Sequence, residues 1–320
     1  MSGWAYPSSI GGLLVDGPLW LAPMAGITTP SVRLFQRRLG VSLVHTEMVS
    51  AFGLMYGGRK SAEILVPAEG EEPIVPQLFG PHGDCLLAGA RIALEAYPFK
   101  VLEVNMACPM PKVTKKGAGA AMMDRPLEAF RAVRLLKGLG LPVWVKCRVM
   151  PGGFADTARF CGGLLDAGAD LLMVHGRTAS QRYEGKADVE QVIGLARSFP
   201  GLVVGSGDVF SASDVLRYLE GGCPAVLLAR GFLRDPLLAW RCSTELGLNS
   251  SYPAVSPVEA LVELGDMLFV REGERTCLLL VKRMAASALR GHPGDAERRN
   301  RMMGIKSWIE LKGFIAGLEI

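Results

Sequence analysis

The chain has 320 residues, 49% apolar and 21% charged, with 39 glycines and a formal charge of +4. These proportions exclude a disordered, collagen-like or coiled-coil chain, and the length suffices to bury a core without staples. The mildly positive balance permits an anionic partner without demanding one.

In chain order, the opening MSGWAYPSSI lacks the basic start and apolar stretch of a secretion signal. No apolar run is long enough to span a membrane. Eight short segments then read as near-continuous hydrophobics, the pattern of parallel strands covered on both faces. They are Leu19–Ala22, Leu43–Glu47, Pro73–Leu78, Val101–Asn105, Val143–Lys146, Leu171–His175, Leu202–Gly205 and Ala225–Arg230. Amphipathic stretches lie between them: Ser31–Leu39 before Gly40, Leu127–Lys137 before Gly138, Asp156–Asp166 before Gly168, and Ser211–Leu219 before Gly221-Gly222. Eight strands each followed by a helix predict an α/β chain with a (β/α)8 TIM barrel. An open doubly wound sheet would want a glycine-rich fingerprint after the first strand, where APMAGITTP stands instead.

The barrel is expected over residues 1–243, followed by a Ser-, Asn- and Pro-rich linker over 244–256. A helical domain, 257–320, should hold three helices: Pro257–Arg271, Glu274–Arg290 and Asp295–Leu318. Gly291-His292-Pro293-Gly294 would separate the last two. The seven cysteines (85, 108, 147, 161, 223, 242 and 277) form no CxxC and no zinc-ligand spacing. That usage predicts a reduced cytoplasmic protein with mostly buried thiols and no metal site.

In such a barrel chemistry belongs at the C-terminal ends of the strands. Those ends read Pro23-Met24, Glu47-Met48, Gln77, Asn105, Lys146 with Arg148, His175 with Arg177, Gly205-Ser206-Gly207-Asp208 and Ala229-Arg230-Gly231. The last two suit a phosphate, because glycines admit backbone N–H groups and Arg230 adds charge-assisted bonds. Lys146 needs an anion, a ligand carbonyl or an ion-pair partner, and a Schiff-base role stays open. Gln77 carries donors and acceptors for the edge of a flat heterocycle. Cys108 lies in a loop beside prolines and lysines. It is either a nucleophile with a lowered pKa or a general acid that stays protonated, and Lys112, Lys115 and Lys116 leave the choice open. Bases cluster over 112–148 (nine against two acids) and over 282–312 (eight against three).

The motifs LAPMAGIT (21–28), TEM (46–48), NMACPMPKV (105–113), KKGAGAA (115–121), VKCR (145–148), HGRT (175–178), YEGKAD (183–188), GSGDV (205–209) and ARG (229–231) resemble the tRNA-dihydrouridine synthases. The resemblance implies FMN on the barrel mouth. Pro23, Met24 and Ala25 would lie by the flavin ring, and Gln77 and Lys146 would bond its polar edge. His175 would sit near the ribityl chain, and Ser206, Gly207, Asp208, Ala229, Arg230 and Gly231 would hold the phosphate. NADPH would reduce the flavin. The reduced flavin N5 would then give hydride to C6 of a tRNA uridine while Cys108 protonates C5. Asn105, Arg148 and Arg177 would face that uridine, taken out of its stack. Lys112, Lys115, Lys116, Arg298, Arg299 and Arg301 would meet the RNA backbone. A cytoplasmic monomer acting on tRNA, with no protein partner, is expected. The chain departs from the family at Ser206 (usually Asn), Ala107 and Ala229 (both usually Gly). Competing readings are an FMN barrel enzyme acting on free pyrimidines, an RNA-binding relative without turnover, and a Schiff-base aldolase.

Overall fold

Alternation along each strand decides what this sheet encloses. The computed structural model describes residues 9–248, 252–291 and 294–318. A hairpin of β1 (Ser9–Ile10) and β2 (Leu13–Leu14) comes first. Eight strands follow: β3 (Leu19–Leu21), β4 (Leu43–Ser50), β5 (Ile74–Phe79), β6 (Leu102–Asn105), β7 (Val143–Arg148), β8 (Leu171–His175), β9 (Val203–Ser206) and β10 (Val226–Leu228). Successive strands pair in parallel, and β10 closes on β3 to complete the barrel. The expected TIM barrel is therefore the fold, with helices around it.

Side chains of period two divide two cores. Leu19, Leu21, Val44, Leu102, Val104, Val143, Val145 and Cys147 face the helices. Trp20, Leu43, Val75, Val101, Trp144, Leu171, Met173, Val204 and Leu227 fill the barrel interior. Trp20 and Trp144 stack with centroids 5.3 Å apart. Trp144 Nε1 donates to the Gly11 carbonyl at 2.8 Å, so the N-terminal hairpin seals this end. The opposite end stays open.

Three expected elements come out differently. The last strand stops at Leu228, because Ala229 leaves the extended region and Arg230 begins a short helix, Arg230–Arg234. β4 runs on to Ser50 through a register shift between His45 and Met48. The expected helix Asp295–Leu318 is two helices, Asp295–Gly304 and Trp308–Ala316. Ser307 caps the second of these by accepting from the Glu310 N–H, so the C-terminal segment has four helices among the described residues.

The other two helices of that segment are Pro257–Glu272 and Glu274–Ala288. Gly265 lets the Trp308 ring lie against the backbone, where a Cβ would stand 2.0 Å from it. The segment is tied to the barrel at the helix Pro30–Arg38, which has no side-chain cap of its own. Glu272 accepts from the Ser31 N–H at 2.9 Å and from its hydroxyl at 2.6 Å. The residues 1–8 of the expected signal-free start, 249–251 of the expected linker, and 292–293 of the expected break lie outside the described residues.

Candidate active site

The inward faces of β6 to β9 end in polar groups at the open mouth. On β7, Trp144, Lys146 and Arg148 share the inward face; on β6, Glu103 and Asn105 do; on β8, His175 follows Met173. Above them opens a cavity of about 650 Å³, lined by Pro23, Met24, Ala25, Asn105, Cys108, Lys146, Arg148, His175, the 206–208 and 229–231 stretches, and others. Four cationic side chains (Lys146, Arg148, Arg230, Arg283) and a single carboxylate (Asp208) line it, which favours an anionic ligand.

The Cys108 loop is held from three sides. Asn105 Oδ1 accepts from the Ala107 N–H at 3.1 Å and the Cys108 N–H at 2.9 Å. The Ala120 N–H donates to the Cys108 carbonyl at 3.0 Å. Arg148 Nε donates to the Ala107 carbonyl at 2.6 Å, and Nη1 reaches the carbonyls of Thr178 and Arg182 at 3.0 and 2.9 Å. Gly119 is required here. It has φ of +60°, and a Cβ on it would stand 2.6 Å from the Cys108 carbonyl oxygen. All seven cysteines are free and six are buried; Cys108 alone is partly exposed.

Burial pushes the Cys108 thiol above its ordinary range. The Met110 backbone bond and the charges of Arg148 and Lys146 only partly oppose that. Lys112, Lys115 and Lys116 are solvent-exposed and do not figure among the groups acting on it. Burial likewise lowers Lys146 to about 8, against the pull of Glu103. His175 is pushed well below its usual range by burial and then by Lys146, Arg148, Arg177 and Arg230, so its ring is neutral.

Several residues expected to touch a ligand also bond protein neighbours. Gln77 is fully buried and does not line the cavity. It donates to Glu103 and accepts from Asn105 Nδ2 at 2.7 Å. Arg177 also stands apart from the cavity lining, 1% exposed. It donates to the carbonyls of Glu184 and Gly185 and pairs with Asp208 at 2.7 Å. Asp208 lines the cavity, yet its carboxylate accepts from Arg177, Arg230 and the Ala187 N–H. Any anion contact from Asp208 thus falls to its backbone. Burial would raise its carboxyl, but those three donors together hold it below the usual range.

Of the expected RNA contacts, Arg299 is paired with Asp295 at 3.0 Å and Arg301 lies over Phe314 at 5.5 Å. Arg298 has no side-chain partner among the described residues. Tyr183 and Arg283 are among the cavity residues that the sequence did not single out as site residues. Tyr183, 51% exposed, lies 5.7 Å from the Arg148 guanidinium and 5.4 Å from that of Arg230. It sits in the YEGKAD motif, which was a signal for it. Arg283 comes from the helix Glu274–Ala288 and brings the C-terminal segment to the same cavity. The departures at Ala107 and Ala229 carry no left-handed strain, since neither has positive φ. Ser206 lines the cavity, 4% exposed.

Among the described residues, no helix is long and apolar enough to cross a membrane, and no three metal-ligating side chains cluster.

The family model "Dihydrouridine synthase (Dus)" matches residues 20–315. A probable tRNA-dihydrouridine synthase of Mycobacterium tuberculosis is 32% identical over 94% of this chain and 82% of its own. Probable tRNA-dihydrouridine synthase 1 of Synechocystis sp. is 30% identical over 98% of this chain and 89% of its own. Among solved structures, a mandelate oxidase superposes with a TM-score of 0.52 at 19% identity, covering 75% of this chain and 76% of its own; that likeness concerns the fold.

Proposed function

We propose that this chain, which belongs to the dihydrouridine synthase family, reduces the C5–C6 double bond of uridine in tRNA, with FMN as cofactor and NADPH as reductant. The observation that carries the chemistry is Cys108: a half-buried thiol, kept protonated by burial, on a loop fixed at three points beside a cationic cavity.

The residues present fit a flavin mononucleotide. The cavity volume lies within the range of small-molecule sites. Met24, Ala25 and Leu227 offer apolar surface for a flat ring, and Lys146 and neutral His175 offer polar contacts. Ser206, Gly207, Arg230 and Gly231 gather at one end to hold a phosphate, with Arg230 oriented by Asp208 at 2.9 Å. When bound, FMN supplies hydride, received from NADPH, to C6 of the uracil.

The chain's own residues do the rest. Cys108 carries the proton that C5 takes up, so a raised thiol pKa serves the reaction. Asn105 and Arg148 act through the loop, since their polar atoms hold Ala107 and Cys108. Tyr183 offers a ring face to the uracil. A uridine reaches this depth only after leaving its stack. Arg283, Lys112, Lys115, Lys116 and Arg298 would meet the RNA backbone around the mouth, and the helices from 257 onward would serve as the RNA-binding domain. A monomeric, cytoplasmic enzyme completes the reading. The test is to incubate the protein with NADPH and unmodified tRNA and digest the RNA. A nucleoside heavier than uridine by two hydrogens is expected, and its absence would refute the reaction.

A further inference from the structure

The TEM motif (46–48) stands at an irregularity of β4 that the reaction as derived does not use. His45 pairs with Val75 and Met48 with Gln77, so three steps along β4 match two along β5. The extra residue makes a β-bulge. Before it, Leu43 faces the barrel interior and Val44 the helices. After it, Met48 lines the cavity and Val49 faces the helices. An unbroken alternation from Leu43 would have put residue 47, not 48, on the inward face. The bulge frees Glu47 from that row. Its side chain turns instead to the loop after the neighbouring strand β3, where Oε2 accepts from the Gly26 N–H at 2.7 Å. Thr46 holds the bulge: its hydroxyl donates to the Glu47 carbonyl at 2.8 Å and accepts from the Gln77 N–H at 3.1 Å.

Glu47 thus grips the turn Pro23–Thr28, whose residues Pro23, Met24, Ala25 and Ile27 line the cavity. The backbone donors of this turn can be followed one by one. Pro23 has none. The Met24 N–H donates to Thr28 Oγ1 at 3.0 Å, and those of Ile27 and Thr28 donate to the Met24 carbonyl, each at 3.0 Å. Gly26 donates to Glu47. The Ala25 N–H alone has no acceptor among the described residues. Gly26 has φ of +69°, and a Cβ on it would meet nothing within 4 Å. The glycine therefore serves the backbone conformation rather than a close approach.

The Glu47–Gly26 bond is short and charge-assisted. It is also exposed, and solvated charges add little to stability, so the resting fold alone does not account for it. We propose that Glu47 is a positioning residue for the cofactor: by pinning Gly26 it keeps Met24 and Ala25, with the one unclaimed N–H of the turn, in a single arrangement at the cavity wall. The pin belongs to the resting protein; its consequence for flavin rests on the reading of the cavity as an FMN site.

The test uses full-length protein freed of cofactor. Glu47→Ala removes the acceptor, and Glu47→Gln restores an oxygen there without the charge. Hydrogen exchange, read by mass spectrometry on a peptide spanning the turn, should show one amide exchanging about tenfold faster in Glu47→Ala and at the parental rate in Glu47→Gln. Fluorescence titration with FMN should give binding about three- to tenfold weaker in Glu47→Ala and within about twofold of the parent in Glu47→Gln, because a turn that is not pre-organised must be ordered on binding. The melting temperature of the cofactor-free protein should stay parental in both.

Parental exchange or parental FMN affinity in Glu47→Ala overturns the proposal. Glu47→Gln binding as weakly as Glu47→Ala overturns it as well, assigning the effect to the charge. If Glu47→Ala does not fold, Glu47→Met, which keeps the chain length, decides by the same readouts. Failure of both to fold overturns the proposal in favour of a role in holding the barrel together. Exchange needs no cofactor, so a faster turn in Glu47→Ala with no FMN binding by the parent would refute the cofactor reading and leave the pin at Gly26 intact.

Discussion

Arg148 Nε lies 2.6 Å from the Ala107 carbonyl oxygen, which ties the end of β7 to the residue next to Cys108. The same guanidinium also gathers the carbonyls of Thr178 and Arg182, so one buried cation joins the loops after β6 and β8. A lysine has no planar fork to satisfy three such acceptors. Arg148→Lys should leave flavin binding intact and slow the RNA step by about tenfold to a hundredfold. Stopped-flow traces of the two half-reactions separate these effects. Equal slowing of both would show that Arg148 supports the whole mouth rather than the cysteine loop.

The Cys108 thiol is raised by burial, so it is neutral through physiological pH. A general acid works only while protonated. The RNA-dependent rate should be level across neutral pH and fall once pH passes the raised thiol pKa, above its ordinary value of about 8.5. Flavin reduction by NADPH should lack that alkaline limb. A rate that climbs with pH in the same range would instead mark a thiolate nucleophile.

Burial lowers Lys146 to about 8, so its charge changes near that pH. An anionic flavin group prefers the ammonium form. FMN affinity should therefore weaken as pH rises through about 8, and Lys146→Met should bind FMN more weakly but without that dependence. Fluorescence titration of apoprotein at a series of pH values measures both. An unaltered pH profile in the variant would assign the titration to another group.

Each barrel strand showed itself in the sequence because helices cover one face and the interior core the other, giving runs such as LLMVH. The same continuity hid His45 and Glu103, polar residues on the inward face beneath the mouth. The alternation in LEVN, which puts Glu103 beside Asn105, was the available signal. A strand-end position brings a residue near the mouth but does not say what its side chain binds first. Gln77 and Arg177 read as ligand contacts, and the structure shows that they also bond Asn105 and Asp208, which the sequence did not announce. Arg283 reaches the cavity from a helix well over a hundred residues beyond Cys108 in sequence, and no local pattern announces such a contact. The helix break at 305–307 was readable, since Ser307 and Glu310 have the spacing of a capping pair.

Asp208 sits at φ +49° and bridges Arg177 and Arg230. Asn tolerates that backbone conformation but loses the charge. Asp208→Asn should lower stability by about 1–3 kcal/mol and bind FMN about tenfold more weakly, because Arg230 loses its anchor. Thermal melts with and without FMN report the two effects. Parental FMN affinity would exclude Arg230 from the phosphate end.

The basic residues divide by their partners. Arg299 is held by Asp295, whereas Arg298 and Lys112 have no side-chain partner among the described residues. Arg298→Glu and Lys112→Glu should weaken tRNA binding and each flatten its salt dependence by about one charge, sparing flavin reduction. Arg299→Glu should chiefly destabilise its helix. A salt slope unchanged in the first two would move the RNA track elsewhere.

Transfer of hydride from a flavin in this cavity to tRNA, with Cys108 as proton donor, can be followed in the flavin absorbance band under anaerobic conditions. NADPH should bleach the band, and unmodified tRNA should then restore it. In Cys108→Ala the bleaching should persist while recovery on tRNA slows by about 10²–10⁴-fold. A band that only oxygen restores, or a Cys108→Ala variant that recovers on tRNA at the parental rate, would contradict the account.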